Sequence, residues 1–357
     1  MQIVEIEKMG SAASNLKLPR SVAYVDGTPD ARIGDVVVVK ARSESSTYGN
    51  LELPSGRLAK INTGDILLGV LGKRRALKGF VGDVPETVNA GDKLHLLNMG
   101  GVIGLCKGHH SSFSDAIEVE VIGLACSENG TVLNIDDNAL KPVSELYPSA
   151  PIVVIAGTCM NSGKTVAATE IIKQASNAGL RVAGAKMSGI ACLRDTLHMQ
   201  DHGAVATASF VDCGLPSTVD YGDLAPVAKA ILNHLNTFEP DVIVVELGDG
   251  IVGGYSVDSV LRDEEIRDAI ASFVFCASDY VGVIGGMSVL DGLGINVDVV
   301  AGSVTDSQMG EDFITEKFAV QAGNARRNGR RLFEIISCRL TGSASGTTKT
   351  NRAAVTQ

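Results

Sequence analysis

The segment "IVVIAGTCMNSGKTVAATEII", residues 152–172, constrains the fold of this chain more than any other stretch. Its four branched apolar residues, Ile152, Val153, Val154 and Ile155, suit a buried strand. A tight turn through Gly157, Ser162 and Gly163 comes next, and then an Ala- and Thr-rich stretch with helical spacing. Strand, loop and helix in that order aim backbone N–H groups and the positive end of a helix at one point, which is a seat for phosphate. In such a loop Lys164 reaches the terminal phosphates and the Thr165 hydroxyl holds Mg²⁺. Five residues separate Gly157 from Gly163, one more than the usual G-x-x-x-x-G-K-[ST] spacing. The candidate phosphate-binding residues are Gly157, Thr158, Asn161, Ser162, Gly163, Lys164, Thr165 and Val166. A plain strand-turn-helix with an exposed lysine is the competing reading, and the placement of Gly-Lys-Thr directly between an apolar strand and a helix argues against it.

At ~100–200 residues per domain, 357 residues predict two domains. Residues 1–140 repeat a Gly-Asp turn followed by an extended apolar run ("IGDVVVVKA", "TGDILLGVLG", "AGDKLHLLNM"), and "IEVEVIGL" adds a strand with clean alternation. This half is expected to be a small β-barrel-like domain, similar in pattern to the accessory barrels of translation factors. The proline-rich residues 141–151 read as a linker. Over 152–340 strand-like runs alternate with helix-length segments, which predicts an α/β domain with a mainly parallel sheet covered by helices. Strands are expected at "YVGVIGGM", "VDVVAGSV" and "RLFEIISC", and helices over 195–202, 224–236, 263–272 and 312–328. Residues 341–357 have the composition of a disordered tail.

A net charge of −10 argues against a general nucleic-acid or anionic-membrane binder. No apolar run reaches the ~18 residues of a membrane span, and the N-terminus lacks a signal-peptide h-region, so a cytoplasmic protein is expected. The seven cysteines are scattered, which predicts reduced thiols. "GKRRALKG" (Lys73, Arg74, Arg75, Lys78) is a basic knot whose plain reading is a solvated turn; an anion site is the sharper one. Asp195, His198 and His202 share a helix face, and Cys106, His109 and His110 lie close in sequence, but neither set has the spacing of a transition-metal site. Ser303 or Asp306, in a late loop, is a candidate contact for a nucleotide base.

The loop "GTCMNSGKT" resembles the lengthened phosphate loop of dethiobiotin synthetase and the cobyrinate amidases, a class of P-loop NTPase domains. "VAGAKMSG" and "DVIVVELGDGIVGG" fit the same class in the same order, and the likeness spans about residues 151–310. The resemblance implies that Lys186 contacts the substrate carboxylate or its phosphorylated form and that Glu246 is a Mg²⁺-linked acid. It also implies that Asp195 lies near the nucleotide metal, and that the protein is a homodimer. Leu247 and Asp249 depart from the family pattern, so the metal acid is Glu246, Asp249 or both, with Thr165. The function expected on this basis is a Mg²⁺- and ATP-dependent ligase or kinase acting on a small-molecule carboxylate, carbamate or hydroxyl, with Lys164, Lys186 and Asp195 as catalytic residues. An acetyl-CoA-dependent acyltransferase, by a more distant likeness to the D-glutamate N-acetyltransferases, and a nucleotide-driven switch or chaperone are the alternatives.

Overall fold

Three Gly-Asp turns of the N-terminal half share one construction. Gly34, Gly64 and Gly91 sit at φ of 92°, 99° and 90°, where a Cβ is strained. The aspartate that follows each accepts a hydrogen bond from the backbone N–H three residues earlier: Asp35 from Arg32 at 2.8 Å, Asp65 from Asn62 at 2.6 Å and Asp92 from Asn89 at 2.7 Å. Each turn feeds a strand: β1 (Val36–Ala41), β2 (Ile66–Leu71) and β3 (Lys93–Leu96). With β4 (Val102–His109) and β5 (Glu118–Ala125) their pairings run in a ring, β5 to β1, β1 to β2, β2 to β4, β4 to β3 and β3 back to β5. Alternate side chains then separate: Val37, Val39, Leu67, Leu71 and Val119 pack together on one side, while Val36, Val38, Leu68 and Val70 join a larger cluster shared with the C-terminal half.

The coordinates, a computed structural model, describe residues 1–45 and 47–343. In the C-terminal half seven parallel strands form one sheet: β6 (Ile152–Gly157), β7 (Val182–Ser188), β8 (Ala206–Ser209), β9 (Val242–Leu247), β10 (Ile270–Cys276), β11 (Val299–Ala301) and β12 (Gln321–Ala322), in the order β8-β7-β9-β6-β10-β11-β12. Its helices are α1 (Lys164–Asn177), α2 (Arg194–Asp201), α3 (Ala225–Asn236), α4 (Val257–Arg262), α5 (Glu264–Ala269), α6 (Tyr280–Gly292), α7 (Gln308–Phe318) and α8 (Ala325–Ser343). Val153 and Ile155 of β6 pack against Ala167, Ile171 and Ile172 of α1 and Leu332 and Ile336 of α8. Ile152, Val154 and Ala156 face the other way, into the cluster that holds α3 and the N-terminal half. A sheet covered on both faces explains why these strands read as unbroken apolar runs. Residues 141–151 carry no regular element and run along α3, where Tyr147 and Ala150 N–H groups donate to the side chains of Asn233 and Asn236.

Several expected elements differ. "YVGVIGGM" lies in α6, not in a strand; the helix is apolar all round, so no helical periodicity marked it, and Asp279 caps it by accepting from Gly282 N–H at 2.8 Å. The helix expected over 263–272 ends at Ala269, and β10 begins on the next residue. "RLFEIISC" belongs to α8, whose face against α1 gives its apolar residues, and the helix expected over 312–328 is split among α7, β12 and α8. Of the expected tail, 341–343 end α8 and 344–357 lie outside the described residues. Among the described residues no helix is long and apolar enough to cross a membrane.

Candidate active site at the phosphate loop

β6 delivers the chain to Gly157, and the loop turns through Asn161 (φ 64°) and Gly163 (φ 101°) before α1 starts at Lys164. Gly163 is the N-cap and contributes no side-chain hydrogen bond, so the first N–H groups of α1 keep their outward dipole for an anion. Lys164 is only 5% exposed, and its Nζ donates to the Cys159 carbonyl at 2.8 Å. Burial lowers its pKa, against the pull of Glu246 in the opposite direction. Asn161, Gly163, Lys164, Thr165 and Val166 line a cavity of about 680 Å³, while Gly157, Thr158 and Ser162 build the loop behind them.

Lys186 of β7 and Glu246 of β9 are register partners on adjacent strands, so both side chains leave the sheet on one side at its C-terminal edge. Glu246 is 2% exposed. Its Oε1 accepts from the Thr165 hydroxyl at 3.0 Å and lies 3.7 Å from Lys186 Nζ, and its Oε2 is buried without a partner. A hydroxyl and a carboxylate with one unused buried oxygen are hard donors that fit Mg²⁺, whose other positions phosphate and water fill. Asp249, also in the cavity, is half-buried at φ 65°, and burial raises its pKa.

Lys186 also forms an ion pair with Asp195 on α2. Burial works against both charges, yet Glu246 and Asp195 hold the Lys186 ammonium well above the usual lysine value, and Lys186 holds the Asp195 carboxyl below the usual range. Asp195 is therefore a poor proton acceptor and a good anchor for Lys186. A carboxyl lowered from 3.8 and a lysine raised from 10.5 stabilise the fold fully between those two values. The contribution falls as pH drops through the lowered carboxyl value, or rises through the raised lysine value. Thermal melts of the Asp195→Asn variant across the acid range should lack that share of the acid limb; an unchanged limb would refute the pairing.

The other candidates fall elsewhere. His198 lines the cavity, but His202 bonds back to the His198 carbonyl at 2.7 Å. His109 bonds Asp115, and His110 bonds Ser112. Among the described residues no three His, Cys, Asp or Glu side chains gather as a metal set of their own. Ser303 and Asp306 occupy a turn outside the cavity lining, where Asn324 donates to Asp306. The basic knot is not a solvated turn. Lys73 and Arg75 each pair with acids, Arg74 is 2% exposed in the cavity wall, and only Lys78 is exposed. Sequence reasoning also missed Tyr48, Phe113 and Tyr255 in that wall, which no local motif marks.

No family model and no curated protein matches this chain. Among solved structures it is similar to chloroplast FtsY from Physcomitrella patens, with 12% identity over 55% of this chain and 69% of that one, at a TM-score of 0.38. It is also similar to the signal recognition particle 54 kDa protein from Aeropyrum pernix in complex with GDP, with 16% identity over 56% and 51% and a TM-score of 0.35. A DUF1611 family protein from Anabaena variabilis gives 12%, 56% and 64%, and 0.40. A parallel sheet, a glycine loop opening a helix, and a strand-end carboxylate hydrogen-bonded to the loop threonine define a P-loop NTPase-like fold.

Proposed function

We propose that the chain is a Mg²⁺- and ATP-dependent ligase or kinase that transfers a phosphoryl group to a small-molecule carboxylate, carbamate or hydroxyl. One observation carries this reading: Lys186, held charged by Glu246 and Asp195, lies in the same cavity as Lys164 and Thr165, and that cavity continues to a wall from the N-terminal half. Nucleotide hydrolysis alone needs no such second wall. The loop N–H groups and Lys164 would cradle the phosphates, and Thr165 with Glu246, and Asp249 beside them, would hold the metal. Bound there, Mg²⁺ neutralises charge on the phosphate oxygens. Lys186 would orient the acceptor and stabilise negative charge that develops on it.

The test is calorimetric titration with ATP, GTP and acetyl-CoA, each with and without Mg²⁺, on the native protein and on Lys164→Ala. Mg²⁺-dependent ATP binding is expected, weakened about 10- to 100-fold in the variant, the equivalent of a lost charge-assisted hydrogen bond of ~1.5–3 kcal/mol. Binding of acetyl-CoA with ATP silent overturns the reading in favour of acyl transfer. Preference for GTP with turnover that needs no acceptor overturns it in favour of a switch.

A further inference from the structure

The charge of the cavity is opposite to that of the chain. The protein carries a net −10, yet six cationic side chains and three carboxylates line this one space. Four of the cations, Lys164, Lys186, Arg194 and Arg326, belong to the C-terminal half. Arg74 and Lys78 come from the wall contributed by the N-terminal half, and nothing in the phosphate-loop chemistry uses them.

Arg74 is the unusual one. Its guanidinium donates to the Leu97 carbonyl and, at 2.8 Å, to the Tyr48 hydroxyl, and it lies over the Tyr48 ring with 4.9 Å to the centroid. Its Nε is buried with no partner. The neighbours on either side are neutralised, Lys73 by Asp220 at 3.6 Å and Arg75 by Asp83 at 2.5 Å, whereas no carboxylate among the described residues pairs with Arg74 or with the exposed Lys78. A buried cation with no carboxylate in ion-pair contact is costly, and the ring beneath it and the more distant Asp249 charge in the same cavity offset only part of that cost. The fork of a guanidinium matches the two oxygens of a carboxylate or phosphate. Beside it Tyr48 stands edge-on to Phe113 at 5.8 Å between ring centres, and the buried Tyr255 also lines the cavity.

We propose that Arg74 and Lys78 form an anion subsite for the acceptor, which is a small ring-bearing acid. Its carboxylate or phosphate lies on Arg74, its ring lies against Tyr48 and Phe113, and its reacting end faces Lys186. The proposal rests on the phosphoryl-transfer reading for the role of that reacting end, but the subsite itself is a matter of binding alone.

The experiment is calorimetric titration of the full chain with benzoate, nicotinate and phenyl phosphate, with the phosphate loop saturated by a non-hydrolysable Mg²⁺–ATP analogue and again without nucleotide. At least one probe is expected to bind the native protein, and comparison of benzoate with phenyl phosphate tells carboxylate from phosphate. Arg74→Met should weaken that probe about 10- to 100-fold, and Lys78→Met about 3- to 10-fold, with nucleotide affinity unchanged within about twofold in both. Failure of every probe to bind at millimolar concentration, or equal binding by the native protein and both variants, overturns the proposal. If Arg74→Met folds poorly, the exposed Lys78→Met decides: weakened probe binding supports the subsite, and unchanged binding refutes it. Absence of nucleotide binding in the native protein would sink the phosphoryl-transfer reading, while the titration without nucleotide would still report on Arg74 and Lys78.

Discussion

Glu246→Gln is expected to abolish the Mg²⁺ dependence of nucleotide binding and to cost about 2–3 kcal/mol of stability. The first effect follows from the donor set: Glu246 provides the carboxylate beside Thr165, and its Oε2 is buried with nothing bonded to it. An amide in that place keeps the shape and loses the charge that attracts the cation. The second effect follows from Lys186, which sits 3.7 Å from Glu246 and is paired with Asp195. Breaking a buried ion pair by neutralising one partner typically costs ~3–5 kcal/mol, and the remaining partner, Asp195, places this case at or below the lower end. Because the penalty is that of a stranded lysine, it should shrink when the lysine goes too. Denaturant unfolding of Glu246→Gln, Lys186→Met and the double variant closes the cycle, with a coupling of at least about 1 kcal/mol expected. Retained Mg²⁺ dependence together with additive losses would remove Glu246 from the site.

What could be read from the sequence was whatever the chemistry keeps local. The phosphate loop, the strand before it and the helix after it are contiguous, and the Gly-Asp turns bond within four residues. Lys186 and Glu246 were legible because each is the charged residue near the C-terminal end of its own apolar strand, and the parallel register then sets them side by side. α6 was misread because its burial has no polar face to mark it: Val283, Gly286 and Leu290 are buried, while Val281 and Ile284 are exposed and just as apolar. β10 was missed because it follows α5 without a turn residue between them. The wall of Tyr48, Arg74 and Phe113 was out of reach for a different reason. Tyr48 and Phe113 come from two separate strand connections and Arg74 from the two-residue strand Arg74–Arg75, and only the packing of the N-terminal half onto the sheet brings them to the phosphate loop.

The same packing makes Glu52→Ala the other variant with a large expected effect. Glu52 closes a short strand of the N-terminal half, is 1% exposed, and lies far in sequence from the residues it binds. Its carboxylate accepts the backbone N–H of Leu193 at 2.7 Å and of Arg194 at 2.9 Å, the Cys192 thiol at 3.1 Å, and the Ser11 hydroxyl. α2 has no side-chain cap of its own at Leu193, so an acid from the other half of the protein caps it and complements its dipole. That helix carries Asp195, and through Asp195 the orientation of Lys186. Removing the carboxylate leaves two buried N–H groups unsatisfied at ~1–3 kcal/mol each, so a loss of about 3 kcal/mol is expected. Glu52→Gln should be intermediate, since its amide keeps one acceptor oxygen but turns a donor toward donors. Cys192 supplies a second readout. Burial, and then the Glu52 charge, push its thiol up, so without Glu52 its pKa falls and alkylation of Cys192 at mildly alkaline pH should speed up. Nucleotide affinity, set by the loop, should hold, while the phosphoryl transfer proposed above should slow with the displaced Asp195. Stability within about 1 kcal/mol of the native protein, with Cys192 no more reactive, would mean that α2 is fixed by other contacts.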